Sequence, residues 1–265
     1  MTQIGTVASL WRYPVKSMRG EQVDTAFVGY SGVYGDRLFA FQYPGSMAFF
    51  PYFTGREYQP LLLYTPRFRY PEHARQPVSW AEAESTSVGI TPLYSAPAQL
   101  AVDVTTPDGT SFAIDDEALI QHLAGTERDA GQFTLSRSDR AMTDCRPLSL
   151  IANQTILQLS EELGRPVDAR RFRANIYIDW CEGSGLDGFA ESKLVERRLR
   201  IGDKVVISIV ARDGRCAMIT YDPDSGAADP SILRQVTKAH ERIAGVYAAV
   251  LVEGLIYPGD AVELI

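Results

Sequence analysis

Apolar and polar side chains alternate along residues 204–210 (KVVISIV) over a run of β-branched residues, a two-residue period that predicts a half-buried strand. Asp213-Gly214 breaks the alternation. Beyond it the chain is predicted to run extended again, with Cys216, Met218 and Thr220 on one face and Ala217, Ile219 and Tyr221 on the other. Asp222-Pro223-Asp224-Ser225-Gly226 then predicts a turn, since it combines fixed-φ, Asx-bonding and positive-φ residues. The same period predicts strands over 5–13, 21–30 and 37–43, and further along over 132–136, 148–152 and 175–179. Residues 100–105 and 111–114 read as a hairpin around Pro107-Asp108-Gly109.

Helical spacing is confined to short stretches. Ala118, Leu119, Ile120 and Leu123 follow a cap at Asp115 or Asp116 and stop at Gly125. A second helix over 154–163 has Asn153 as its cap, with Gly164 and Pro166 closing it. A third over 230–243 starts with Asp229 and Pro230, and its stripe of Ile232, Leu233, Val236, His240 and Ile243 reads as core-facing. Residues 44–97, rich in Pro, Tyr and Arg, show no sustained period and read as an irregular, packed connection. The fold class is therefore mainly β with some α, an α+β protein. A soft boundary falls near the helix before Gly125, with no Gly/Ser linker to separate the halves.

The chain has 265 residues, 45% hydrophobic and 22% charged, which is ordinary globular composition. A net charge of −7 argues against a nucleic-acid partner, which would need a basic face, so any bound anion must be held by a local cluster of bases. Cys145, Cys181 and Cys216 are widely spaced and odd in number, without a CxxC pair; this excludes a four-cysteine site and points to a reducing compartment. The first residues lack the apolar core of a signal peptide, and no apolar run approaches the roughly 20 residues of a spanning helix. A cytoplasmic location with no membrane span is expected.

Candidate chemistry gathers in four places. Lys16 and Arg19 lie in one early loop and Arg37 follows the next. Arg170, Arg171 and Arg173 crowd the segment before the strand at 175–179, where they repel one another unless a carboxylate or an anionic ligand lies among them. Asp144, Cys145 and Arg146 occupy a polar loop over 138–147, and Cys216 follows Arg215. The reactive and metal-binding form of a cysteine is the thiolate, which a neighbouring cation favours; the competing reading of Cys216 is a small buried hydrophobe. Of the histidines, His73, His122 and His240, none is tied by sequence to Cys216, so a Cys-His hydrolase has little support. The glycines form neither a dinucleotide fingerprint nor a P-loop.

Taken in order, YPVKSM (13–18), GDR (35–37), RFRANIYID (171–179), RDGRC (212–216) and TYDPDSG (220–226) resemble the motifs of the MOSC family. The likeness is closest to the branch with an N-terminal MOSC β-barrel domain, which includes amidoxime-reducing molybdoenzymes, and residues 245–264 are also of its type. The resemblance implies an N-terminal β-barrel-like domain over 1–118 packed on a MOSC β-barrel domain over 119–265. It implies molybdenum cofactor, a pterin dithiolene that carries one metal and a phosphate. Cys216 would be the thiolate ligand to the metal. Lys16, Arg37, Arg173 and Arg215 would hold phosphate and pterin, with hydrogen bonds from Ser17 and Asn175. Asp144 becomes a candidate proton donor, against the alternative that it forms a turn or pairs with a base. Lys offers phosphate a point charge and Arg a bidentate fork, while a soft thiolate suits a soft metal centre. Gly214 stands where some relatives carry serine, and Cys145 has no place in the pattern.

The expected function is reduction of an N-hydroxylated or other N-oxygenated small molecule, its oxygen released as water with electrons from a separate donor protein of reductase, ferredoxin or cytochrome type. Two alternatives stay open. One is a sulfur carrier using a Cys216 persulfide; the other is a non-catalytic module that binds the cofactor.

Overall fold

The computed structural model describes residues 2–47, 50–78, 80, 99–125 and 128–265. They form a mostly β protein with three α-helices among the described residues: α1 (Glu117–Ala124), α2 (Asn153–Leu163) and α3 (Pro230–Ala239). The chain divides into two compact units, each made of separate stretches. One comprises Met1–Trp11, Gln22–Tyr34 and Asp144–Ile265; the other comprises Arg12–Glu21 and Gly35–Thr143.

The first unit contains a closed barrel of seven strands: β1 (Thr2–Arg12), β2 (Leu148–Ala152), β3 (Ile176–Trp180), β4 (Arg198–Ile201), β5 (Val205–Gly214), β6 (Ile243–Val252) and β7 (Ala261–Leu264). Around the barrel the order is β3-β2-β6-β5-β4-β7-β1, and pairing of β1 with β3, Gly5 opposite Trp180, closes it. Only β2 and β3 run parallel, and a parallel neighbour requires a crossover, which α2 supplies.

Alternation explains which residues fill the barrel. Leu148, Leu150 and Ala152 of β2 point into the core with Ile176 and Ile178 of β3, Ile207 and Ile209 of β5, and Val246 and Ala248 of β6. The intervening Ile151, Tyr177 and Ala244 face outward and are covered by Ile156 and Leu159 of α2 and by Ile232 and Val236 of α3. This second apolar layer seats α3 beside the end of β5, where the candidate chemistry lies.

Several expectations are corrected. The strand expected over 21–30 is two strands, Glu21–Val23 and Ala26–Gly29, because the chain changes sheets: the second pairs with Gly254–Ile256. The strand expected over 204–210 runs on through Asp213 and ends at Gly214, with a register shift between Arg212 and Gly214. The extended segment expected over 216–221 is a 3₁₀ turn, Ala217–Thr220, with Cys216 at its N-cap; it buries the consecutive residues Ile219 and Thr220, and the Thr220 hydroxyl donates to the carbonyl of Ala217 at 2.7 Å. Asn153 is the first residue of α2 and not its cap. Its amide donates to Asp179 at 2.8 Å, while the buried Glu191 accepts from the backbone N–H of Ala152 at 2.7 Å and from the Thr155 hydroxyl at 2.6 Å.

In the second unit, Phe39–Met47 pairs with Thr134–Arg137 and with Phe50–Tyr52, and Val102–Thr105 lies between Thr65–Phe68 and Ser111–Ala113 as a second three-stranded sheet. The hairpin expected over 100–114 is present, and Asp116 caps α1 by accepting from the N–H of Ala118 at 2.8 Å. Within the connection expected over 44–97, residues 48–49, 79 and 81–97 lie outside the described residues.

Candidate functional site: a cysteine held by a buried ionic strut

Cys216 is half-buried and reduced, and its surroundings start from Arg215. Arg215 enters the protein against the phenyl ring of Phe172. Its Nε donates to the carbonyl of Ala244 at 2.6 Å and its Nη1 to the carbonyl of Phe172 at 2.8 Å. Its Nη2 lies 2.9 Å from Oδ2 of Asp213, with the two side chains 8% and 3% exposed. The backbone of Arg215 is fixed as firmly: its N–H donates to the carbonyl of Arg242 at 2.8 Å, and Nε of Arg242 donates back to the carbonyl of Arg215 at 2.6 Å. Arg242 has φ of 64° and Arg173, which follows Phe172, has φ of 53°. Two non-glycine residues in the left-handed region beside one buried guanidinium mark a segment whose backbone is set by its contacts.

Tyr247 of β6 joins this network. Its hydroxyl bonds Asp213, and burial, followed by the charge of Asp213, pushes the phenol well above its ordinary range. Asp144, exposed in the loop before β2, adds its charge to that shift as the smallest of the causes. Asn175 is buried at the start of β3. Its Oδ1 accepts from the N–H and the hydroxyl of Ser149 at 3.2 and 3.1 Å, and its Nδ2 donates to the carbonyl of Trp11 at 3.4 Å.

The three-arginine segment is resolved by the turn at 222–226. Arg170 forks between Asp168 and Asp224, with contacts of 2.6 and 2.5 Å, and Arg171 pairs with Asp222 at 2.9 Å while donating to the carbonyl of Thr220 at 2.8 Å. The aspartates of that turn therefore neutralise the first two arginines, and Arg173, at the C-cap of the Ala169–Phe172 3₁₀ turn, lies next to the strut.

Lys16, Ser17 and Arg37 belong to the second unit. The Lys16 ammonium is buried; it donates to the carbonyl of Met142 at 2.7 Å and lies 5.0 Å from the ring centroids of Phe50 and Tyr52. Met142 in turn donates its N–H to the carbonyl of Arg37 at 2.8 Å, so one residue joins both bases. The Arg37 guanidinium pairs with Asp36 at 2.6 Å and lies 4.4 Å from the centre of the Tyr13 ring. Ser17, with φ of 64°, is buried.

The structure thus groups Arg173, Arg215 and Cys216 in one unit, with Asp144 and Asn175 on the same barrel, and Lys16 with Arg37 in the other. Sequence reasoning missed Asp213 and Tyr247. Asp213 read as a turn former because it precedes glycine, and the only signal for Tyr247 is the outward phase of GVYAAV on a strand. Among the described residues no group of three or more His, Cys, Asp or Glu side chains could hold a bare ion. Cys216 offers one soft donor, which fits a metal that arrives with sulfur ligands of its own, while the guanidinium of Arg215 is engaged by the carbonyls of Ala244 and Phe172 and by Asp213.

The barrel and this cysteine define a class. The MOSC domain model matches residues 137–263 and the MOSC N-terminal beta barrel domain model matches residues 4–118. The chain belongs to the MOSC family, in the branch with that N-terminal domain. Among curated proteins it is similar to mitochondrial amidoxime reducing component 2 of Bos taurus, at 27% identity over 86% of this chain and 70% of that protein. It is similar also to mitochondrial amidoxime-reducing component 1 of Mus musculus, at 26% identity over 100% of this chain and 84% of that protein. Among solved structures, the YuaD protein from Bacillus subtilis covers 98% of this chain and 94% of its own, at 14% identity and a TM-score of 0.48. No helix among the described residues is long and apolar enough to cross a membrane.

Proposed function

We propose that this protein is a molybdenum-cofactor-dependent reductase of N-hydroxylated or other N-oxygenated small molecules. The observation that carries the reading is a half-buried thiol, Cys216, seated at the N-cap of a 3₁₀ turn and fixed through Arg215, in a chain whose curated relatives are named as amidoxime-reducing. When bound, the cofactor supplies two-electron removal of oxygen from the substrate nitrogen.

The chain's own residues do the rest. Cys216 provides the single protein ligand to the metal. Lys16, Arg37 and Arg173 supply positive charge for the phosphate and pterin, local exceptions in a chain of net charge −7. Arg215 and Asn175 reach the cofactor from positions already fixed by Asp213 and Ser149, and Ser17 adds a hydroxyl. The exposed Asp144 carboxyl delivers a proton to the departing oxygen, from a loop open to water. Electrons come from a separate donor protein, and the unpaired cysteines fit a reducing, cytoplasmic setting.

The test is molybdenum and pterin content per chain, in wild type and Cys216→Ala purified from cells that make the cofactor. Near-stoichiometric molybdenum in wild type, with metal lost from the variant, is the expected result. Folded wild type lacking both metal and pterin overturns the reading and favours sulfur transfer by a Cys216 persulfide.

A further inference from the structure

A groove of about 660 Å³ opens between the turn that follows Cys216 and α3. Ala217, Tyr221, Pro230 and Leu233 give it a predominantly apolar lining. Its volume falls within the range of about 300–1,000 Å³ that small-molecule sites occupy. The spacing of α3 produces the groove: Ile232 and Val236 turn inward to the barrel, so Pro230, Leu233, Arg234, Thr237 and Lys238 share the opposite edge.

Several bases of the unit are neutralised by carboxylates, whereas others, Lys193, Arg197 and Arg198 among them, are exposed without an ion pair among the described residues; the two on α3 are of the second kind and border an apolar trough. Arg165 pairs with Asp229, Arg171 with Asp222, Arg200 with Glu263 and Arg212 with Glu241. Arg234 and Lys238 are exposed, one helical turn apart, and have no ion-pair partner among the described residues. The carboxylates closest to them in sequence, Asp229 and Glu241, are already engaged by other arginines. Arg242 adds a third cation to the lining, its Nε used on the Arg215 carbonyl. An apolar trough bordered by uncompensated cations, in a protein of net charge −7, is complementary to one kind of occupant.

We propose that this groove binds an organic anion with an apolar body, its carboxylate, sulfonate or phosphate head on Arg234 and Lys238 and its body against Leu233, Pro230 and Tyr221. The site stands whether or not Cys216 holds a metal, since Cys216 is not part of its lining.

The experiment is fluorescence titration of the full chain, as purified, with 1-anilinonaphthalene-8-sulfonate at low ionic strength. Saturable binding at one site is expected, weakened at least tenfold in the Arg234→Gln/Lys238→Gln double variant. Both residues are exposed, so the fold should be unaffected, and circular dichroism checks this. Thr237→Trp fills the groove from its rim without changing charge and should weaken binding to a similar degree, whereas Cys216→Ala should leave it unchanged. Octanoate should displace the probe, while octylammonium and inorganic phosphate should not. Wild-type affinity in the double variant or in Thr237→Trp overturns the site. Displacement by inorganic phosphate as effective as by octanoate overturns the apolar half of the assignment.

Discussion

Replacing Asp213 by Asn keeps the volume at the end of β5 and removes one charge from the strut that fixes Arg215. The pair is close and dry, Nη2 to Oδ2 at 2.9 Å with side chains 8% and 3% exposed. Removing one partner of such a pair leaves the other charge buried without compensation, at about 3–5 kcal/mol. Here Arg215 keeps the carbonyls of Ala244 and Phe172 as acceptors, which places the expected loss near the lower end, about 3 kcal/mol. The assay is denaturant unfolding at pH 7 followed by tryptophan fluorescence, since Trp11 and Trp180 both lie in the barrel unit. The midpoint should fall with the slope unchanged. A cycle with Arg215→Met separates the pair from its surroundings: the double variant should be less destabilised than the sum of the singles by at least about 1 kcal/mol, because neither charge is then stranded. In cofactor-loaded protein, Asp213→Asn should also lower the metal content held by Cys216. A loss below about 0.5 kcal/mol, or strict additivity in the cycle, would refute the strut.

Burial raises the Glu191 carboxyl above its ordinary value despite bonds from Thr155 and Ala152. Its neutral form is therefore favoured by folding, so wild-type stability is fullest below the unfolded carboxylate value of about 4.3 and is lost as pH rises toward the folded value; Glu191→Gln should flatten that decline in denaturant midpoints measured from pH 4.5 to 8, and parallel profiles would count against it. Gly245→Ala should destabilise by about 2–3 kcal/mol, and so lower the Tm by about 5–10 °C, because Gly245 has φ of +84° and an added Cβ would lie 2.6 Å from the carbonyl of Leu150 and 3.0 Å from Nη2 of Arg215. Exposed Arg170 pairs contribute less: Arg170→Ala should change stability by about 1 kcal/mol or less, measured in the same denaturant series, since both its aspartate partners are partly open to water.

The strands were legible because each barrel strand has one face in a single continuous core, so the two-residue period survives in β2, β3, β5 and β6. The segment after β5 was not. Cys216 to Tyr221 is apolar at most positions and reads as extended, yet it folds as a 3₁₀ turn directly after Arg215, whose backbone is clasped by Arg242, a residue far away in sequence. Closure of the barrel by Gly5 opposite Trp180 leaves no local mark either, and the same holds for the change of sheet between Val23 and Ala26.

The bases show why residue type alone under-determines a site. Arg170 and Arg171 look as suited to an anion as Arg173, yet the aspartates of the turn at 222–226 engage the first two. That turn was read correctly as a turn, but its carboxylates were counted as turn chemistry and not as partners 51 to 54 residues away. Asp213 misled in the same way: beside a glycine it resembles a loop, and only the register of β5 against β6, with Ala211 opposite Tyr247, places it where a buried arginine needs a counter-charge. Lys16 is the converse case. It lies in a loop, yet the Met142 carbonyl and two aromatic rings hold the ammonium inside the protein. A base kept buried at the expense of its hydration, with a carbonyl and two π-faces against it, has its charge fixed in place. Which arginines are neutralised therefore follows from where the carboxylates fold, a property of the tertiary pairing that no single stretch of the chain contains.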